Sequence, residues 1–350
     1  MKLYKNHLTT FLTAMLLLMM SFTFYSCEKD EEYEKVQYLK KTYGPVIVGQ
    51  QVDFSFAIAS GDGSSLKDFE ITASYPGQTG TTADTKCYWT LLNGVTYNKE
   101  MLSGITTSGN VTSGSVIDGI EWVTGSVSGY SSKAVTIRYS YITPEEARGK
   151  KLKFDVSYTT VGGEAKSYST IEYPVEKMDM VKDVVLTDPA GNTGRNYYSI
   201  SELKAYTLAE VEAQNKSGVI DFVYRYTSSS STIPTPGGGT ITLGTCISAP
   251  NHPVYMNTNY IPAAWSKNAT LIEYRKWDDM QLKGNTPNSY VTDLDLQNTS
   301  LNGNTFGEYG IKKDYSLVIQ TADGKYRAFV YFKTVGTATV TIGIKRLQIN

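Results

Sequence analysis

The run Val52-Asp53-Phe54-Ser55-Phe56-Ala57-Ile58 alternates large apolar side chains with small or polar ones. Only an extended strand, whose side chains repeat every second residue, gathers Val52, Phe54, Phe56 and Ile58 on one face, so the stretch predicts a sheet wet on its other side. Val46-Ile47-Val48 and residues 69–75 read as strands too, each closed by Gly, Asp or Pro. Residues 133–141, 151–160 and 165–175 add three more, the last two joined by Val161-Gly162-Gly163-Glu164, a hairpin with glycines in the turn. Short strands at this spacing with Gly-rich turns predict a β-sandwich of immunoglobulin or fibronectin type over 43–176. Thr143-Pro144-Glu145-Glu146 predicts a one-turn helix, with Thr143 as cap and proline in the first helical position.

Pro174 and the charges at Glu176, Lys177, Asp179 and Lys182 mark a short junction between packed domains. Beyond it the grammar changes. Thr207-Leu208-Ala209-Glu210 carries a capping box that opens a short helix. Residues 219–226 are nearly all apolar or aromatic, as expected of a strand covered on both faces. Residues 228–239 (SSSSTIPTPGGG) are low-complexity and read as a surface loop. Three strands close the chain, two of them joined through Asp323-Gly324, a strong hairpin signal, and the last placing Val340, Ile342 and Ile344 on one face. The fold class is therefore mainly β: two sandwich-like domains in tandem, with a β-rich second domain over 183–350 that holds a short helix.

The first 26 residues are an export signal. Lys2 and Lys5 precede an apolar run over 8–20, which is shorter than the roughly 20 residues a membrane-spanning helix needs. Phe24-Tyr25-Ser26-Cys27 resembles the bacterial lipobox, which would make Cys27 the diacylated first residue of the mature chain. Plain secretory cleavage is the alternative. Residues 27–42 read as an acidic tether, because Glu28-Lys29-Asp30-Glu31-Glu32 sets four carboxylates within five residues. Such a run after a lipidated cysteine is similar to the surface-export signal of Bacteroidetes lipoproteins.

Composition narrows the chemistry. Without Lys2 and Lys5 the 33 basic residues become 31 against 34 acidic ones, a net charge of −3 with no basic cluster, which argues against nucleic acid as a partner. His252, set between prolines in a loop, is the single histidine left once His7 departs with the signal. Serine- or cysteine-histidine catalysis needs an imidazole beside a nucleophile, and no GxSxG signature is present, so no catalytic residue, metal or cofactor is assigned. Cys87 and Cys246 lie far apart in sequence and are expected to be unpaired.

A ligand site is sought among the aromatics. Tyr255, Tyr260, Trp265, Tyr274 and Trp277 fall within 23 residues, interleaved with Asn257, Asn259, Lys267, Asp278 and Asp279. Exposed rings stack on the apolar faces of sugars while acids and amides take the hydroxyls, so Tyr260, Trp265, Tyr274, Trp277 and Asp278 are the candidate ligand-binding residues. Burial of the same rings in a sandwich core is the competing reading, and Trp89 and Trp122 are expected to be core. Asp278-Asp279 and Asp293-x-Asp295 read as surface acids, and Asn268-Ala269-Thr270 as a glycosylation triplet without meaning in a bacterial lipoprotein.

Residues 176–180 (EKMDM) and 184–188 (VVLTD), Tyr198-Ser199-Ile200, Tyr206-Thr207, 219–226 and 320–328 (QTADGKYRA) together resemble an uncharacterised family of Bacteroidetes surface lipoproteins, described as lipid-binding or hypothetical. The resemblance implies an immunoglobulin-like N-terminal domain, a larger β-rich C-terminal one, and association with outer-membrane glycan uptake. Expected partners are the membrane, through the lipid anchor, and a polysaccharide or the uptake proteins. The expected location is the cell surface. A structural or adhesive protein and a binder of lipid or small hydrophobes are the alternatives.

Overall fold

The computed structural model describes residues 36–42, 44–78, 82–88, 112–117, 120–126, 134–169, 172–188, 193–226, 232–234, 240–242, 244–252, 261–303 and 305–349. The export signal, Cys27, Trp89, Tyr255 and Tyr260 lie outside them.

The first domain is built from β1 (Val36–Lys41), β2 (Gln51–Ala59), β3 (Leu66–Ala73), β4 (Thr82–Tyr88), β5 (Thr112–Ile117), β6 (Ile120–Ser126), β7 (Ala134–Ile142), β8 (Lys151–Leu152), β9 (Phe154–Thr160), β10 (Ala165–Ser169) and β11 (Tyr173–Pro174). One sheet has the order β1-β2-β7-β4, its partner β10-β9-β3-β6-β5, and β11 pairs with β8. Alternation along β9 leaves Phe154, Val156 and Tyr158 buried and the residues between them half-exposed. Tyr141 meets Phe154 edge to face at 5.0 Å, at the centre of a core shared with Leu66, Phe69 and Ile71. The glycine turn between β9 and β10 forms as expected, with Gly163 at φ +93°.

Three local expectations change. Residues 36–41, read as tether or as a first short strand, are the strand: they pair with β2, Val36 opposite Ile58 and Lys41 opposite Phe54, which satisfies a β2 edge that would otherwise stay open. Val46-Ile47-Val48 forms a single bridge to Val175 rather than a strand, because left-handed turns at Gly44 and Gly49 bend the chain on either side. The turn after β7 is a 3-10 helix, Glu145–Ala147, but Thr143 does not cap it. Thr143 is fully buried and its N–H donates to Gln50 O, closing the β2–β7 ladder instead.

The second domain comprises β12 (Asp179–Thr187), β13 (Tyr197–Ser199), β14 (Lys204–Tyr206), α1 (Leu208–Ala213), β15 (Phe222–Tyr226), β16 (Thr232–Pro234), β17 (Thr240–Thr242), β18 (Thr245–Ser248), β19 (Leu271–Arg275), α2 (Asp293–Asn298), β20 (Gly307–Tyr309), β21 (Ser316–Gln320), β22 (Tyr326–Val335) and β23 (Thr339–Gln348). Sheets of order β12-β23-β22-β21-β19 and β14-β13-β15-β18-β20 face one another across Tyr198, Phe222, Ile247, Ile319, Val330, Val340, Ile342 and Ile344. β15 is central and buried on both faces from Phe222 to Arg225, as its composition requires. The capping box opens α1: Thr207 Oγ1 accepts from Glu210 N at 3.2 Å, and Glu210 Oε2 from Thr207 N at 2.9 Å. β16 falls within the low-complexity stretch read as loop and pairs with β17, just beyond it, as a short ribbon.

The two sandwiches share a core of their own. Ile47 of the first domain packs with Met178, Leu282, Val291, Phe329, Tyr331 and Leu347. Gln281 Nε2 reaches across to donate to Pro45 O at 2.9 Å and Gln50 Oε1 at 2.8 Å. From the other side Arg148 donates to Lys177 O and Met178 O and pairs with Asp179 at 3.0 Å. The junction is therefore a packed interface.

Candidate functional site

The sequence-predicted aromatics do not converge. Trp265 is half-buried, its ring 5.1 Å from Tyr197 and packed on the α1 side of the second sheet. Tyr274, on the edge strand β19, stacks obliquely on Tyr315 at 4.7 Å and is the most exposed of the three, at 38%. Trp277 belongs to the interdomain core, tilted over Phe329 at 6.3 Å. These three rings serve three separate packing clusters, so they build no common platform.

Asp278 works inward. Its carboxylate accepts the backbone N–H groups of Asp279, Asn285 and Thr286 at 2.5–3.1 Å, which pins the 278–286 turn. Burial opposes its charge, yet the donors of Thr286, Asp279 and Asn285 hold its carboxyl below the ordinary aspartate range. Asp279 is fully buried, not a surface acid: its Oδ1 accepts from Leu282 N at 2.9 Å and its Oδ2 from Val291 N at 2.7 Å, and it pairs with Lys345. Asp293, at the start of α2, faces the junction and donates its N–H to Glu176 Oε2 at 2.7 Å.

A different set of residues does converge. A cavity of about 340 Å3 opens where the β21–β22 hairpin meets one end of the second sheet. Thr321, Ala322 and Asp323 form one wall, Gly218, Val219 and Asp221 another, and Ser201 and Asn268 close it. Each wall is held rigidly. Asp221 is 4% exposed, its N–H donates to Tyr198 O at 2.8 Å, and its Oδ2 accepts from Ile200 N at 2.7 Å. The Asn268 amide donates to Gly218 O and Ile220 O at 2.9 and 2.8 Å, so this asparagine ties its own segment to the 218–221 wall. Asp323 Oδ1 accepts from Thr321 Oγ1 at 2.7 Å and Lys325 N at 3.1 Å, fixing the hairpin turn with Gly324 at φ +71°. Burial, reinforced by the like charge of Asp323, pushes the Asp221 carboxyl up to about 7, well above the ordinary aspartate value.

Two family models divide the chain between them: DUF4466, a domain of unknown function, over 32–175, and DUF8576, likewise of unknown function, over 176–349. The chain carries these two domains in tandem. A DUF4466 family protein from Parabacteroides merdae is 26% identical, with 89% of this chain covering 97% of that one at a TM-score of 0.67. The major pilin subunit of Bacillus cereus (9% identity, 60% of this chain, 63% of the other, TM-score 0.25) and the Enterococcus faecalis adhesin ACE (12%, 41%, 51%, 0.25) are similar only at scores too low to bear on function. No curated protein matches.

The cavity lies wholly within the DUF8576 half. Nothing in the spacing of its residues points to it, since they come from 201 to 323 and only Thr321-Ala322-Asp323 are adjacent. The usable signal was the hairpin itself, whose Asp-Gly turn carries one of the two carboxylates. Elsewhere in the DUF8576 half, burial lowers the His252 imidazole to about 4, so the ring is neutral near pH 7. Burial also pushes the Cys246 thiol up to about 11, which makes this free cysteine a poor nucleophile. Among the described residues no three His, Cys, Asp or Glu side chains come together as a metal site, and no helix is long and apolar enough to cross a membrane.

Proposed function

We propose that this protein is a non-catalytic, lipid-anchored lipoprotein of the outer membrane, displayed at the cell surface, that binds glycan for a polysaccharide-uptake system. The observation that carries the reading is the cavity between Asp221 and Asp323. Its volume of about 340 Å3 lies at the small end of ligand sites, and Ser201, Asp221, Asn268, Thr321 and Asp323 line it with hydroxyl, amide and carboxylate groups. Such groups exchange hydrogen bonds with sugar hydroxyls, and a fixed frame limits the ordering cost of binding. A lipid or small-hydrophobe binder calls for an apolar lining instead.

Cys27 supplies the anchor in this reading, because two acyl chains hold a soluble body on a bilayer where one gives only reversible attachment. Mass spectrometry of the mature N-terminus tests that part, and an unmodified thiol at Cys27 ends it. A glycan array probed with the soluble body, from residue 28, tests recognition. Retention of one glycan class, lost in D323A, supports it; blank arrays, or release of cleaved products, overturn it.

A second reading, a structural or adhesive protein that binds another protein, is favoured by the packing of Trp265 and Trp277 into cores. Cross-linking at the cell surface that captures a defined protein, together with a blank glycan array, would select it.

A further inference from the structure

The charge of the cavity is one-sided. Two carboxylates line it and no Lys or Arg does. Two cations near the lining residues are otherwise engaged. Lys325 Nζ sits 3.3 Å from Asp323 Oδ2 with its side chain 62% exposed, and such a solvated pair holds its partner weakly. Arg346 donates to Ile200 O and Ser201 O, pairs with Asp179, and lies over the Tyr326 ring at 4.9 Å. Asp221 is shielded from water yet stabilised only by neutral donors in its backbone frame, including Ile200 N.

We propose that the cavity takes an amine-bearing sugar residue, its ammonium set between Asp221 and Asp323, and rejects uronate and sulfated sugars. This rests on the glycan-binding reading above. An anionic group entering here would meet the Asp323 carboxylate, and the Asp221 carboxyl where it has lost its proton, with no Lys or Arg among the lining residues, whereas an ammonium forms charge-assisted hydrogen bonds to both. An ammonium set beside Asp221 would also favour its ionised form, since a neighbouring opposite charge lowers a carboxyl's pKa.

Calorimetry on the mature chain at pH 7 tests this with three probes of equal length: a glucosamine oligosaccharide, its N-acetylated counterpart and a galacturonate oligosaccharide. One charge-assisted contact predicts about tenfold tighter binding of the first than the second, and no measurable binding of the third. D323N should cut the amine-to-acetyl ratio at least threefold, and K325A, which removes the ion-pair partner of Asp323, should raise it; melting temperatures of both variants verify folding. Equal affinity for the amine and galacturonate probes, or an unchanged ratio in D323N, overturns the amine preference while leaving glycan recognition standing. If none of the three probes binds and the array is blank, glycan recognition itself fails and this inference with it.

Discussion

Lys345 and Asp279 form an ion pair with both side chains fully excluded from water. Lys345 also donates to Gln281 Oε1 and to Val291 O at 2.9 Å, and Gln281 in turn bonds Pro45 and Gln50 of the first domain. Burial lowers the Lys345 ammonium below its ordinary range while the Asp279 carboxylate works to restore it. The pair thus sits at the root of the network that fastens one sandwich to the other.

Removing one partner leaves an uncompensated buried charge. Asp279→Ala should therefore cost about 3–5 kcal/mol in urea unfolding, and the double change D279L/K345M should recover much of that loss. A single mutant within 1 kcal/mol of the parent would show that water reaches the pair.

The Asp221 contribution to stability should fall as pH rises from about 4 to about 7, while His252, buried and neutral, acts in the opposite sense over about 4 to 6.5. In an unfolded chain Asp221 ionises near 3.9, but in the fold it does so at about 7, so between those values the native state holds a proton that the unfolded state has lost. Burial raises Glu176 in the same direction. The Asp221 contribution is at most about 4 kcal/mol, and Asp221→Asn should remove it, flattening the pH dependence measured by chemical denaturation. An unchanged slope in D221N would place the effect elsewhere.

Gly44 holds a left-handed turn, φ +79°, directly beneath the Tyr290 ring. Alanine there meets both backbone strain and the ring, so G44A should lose about 1–3 kcal/mol. Tyr290→Ala introduced on top should restore only the steric share. Differential scanning calorimetry reads both steps.

Trp277 rests on Phe329 in the interdomain core and is half-buried. Trp277→Ala should cost about 2–3 kcal/mol, less than for a fully buried ring, and should leave the amine-to-acetyl binding ratio untouched. A change in that ratio would draw the ring into recognition after all.

Much of the layout was legible along the chain. The alternation of β9, the capping box at Thr207 and Glu210, the doubly covered β15 and the Asp323-Gly324 hairpin all follow from side-chain period and turn chemistry, which neighbours in sequence determine among themselves. The mainly β, two-sandwich fold came from that local grammar. Asp279 resisted it: an acid between Asp278 and Met280 looks like surface until Lys345, 66 positions on, is brought against it. The scatter of Trp265, Tyr274 and Trp277 resisted it too, because closeness in sequence says nothing about which sheet face or which core a ring enters. Strands and turns were thus determined by the sequence itself, through contacts a few residues long. The cavity, the buried ion pair and the separate packing of Trp265 and Trp277 were decided by the tertiary structure alone, because each depends on which distant strands the packing of two sandwiches brings together.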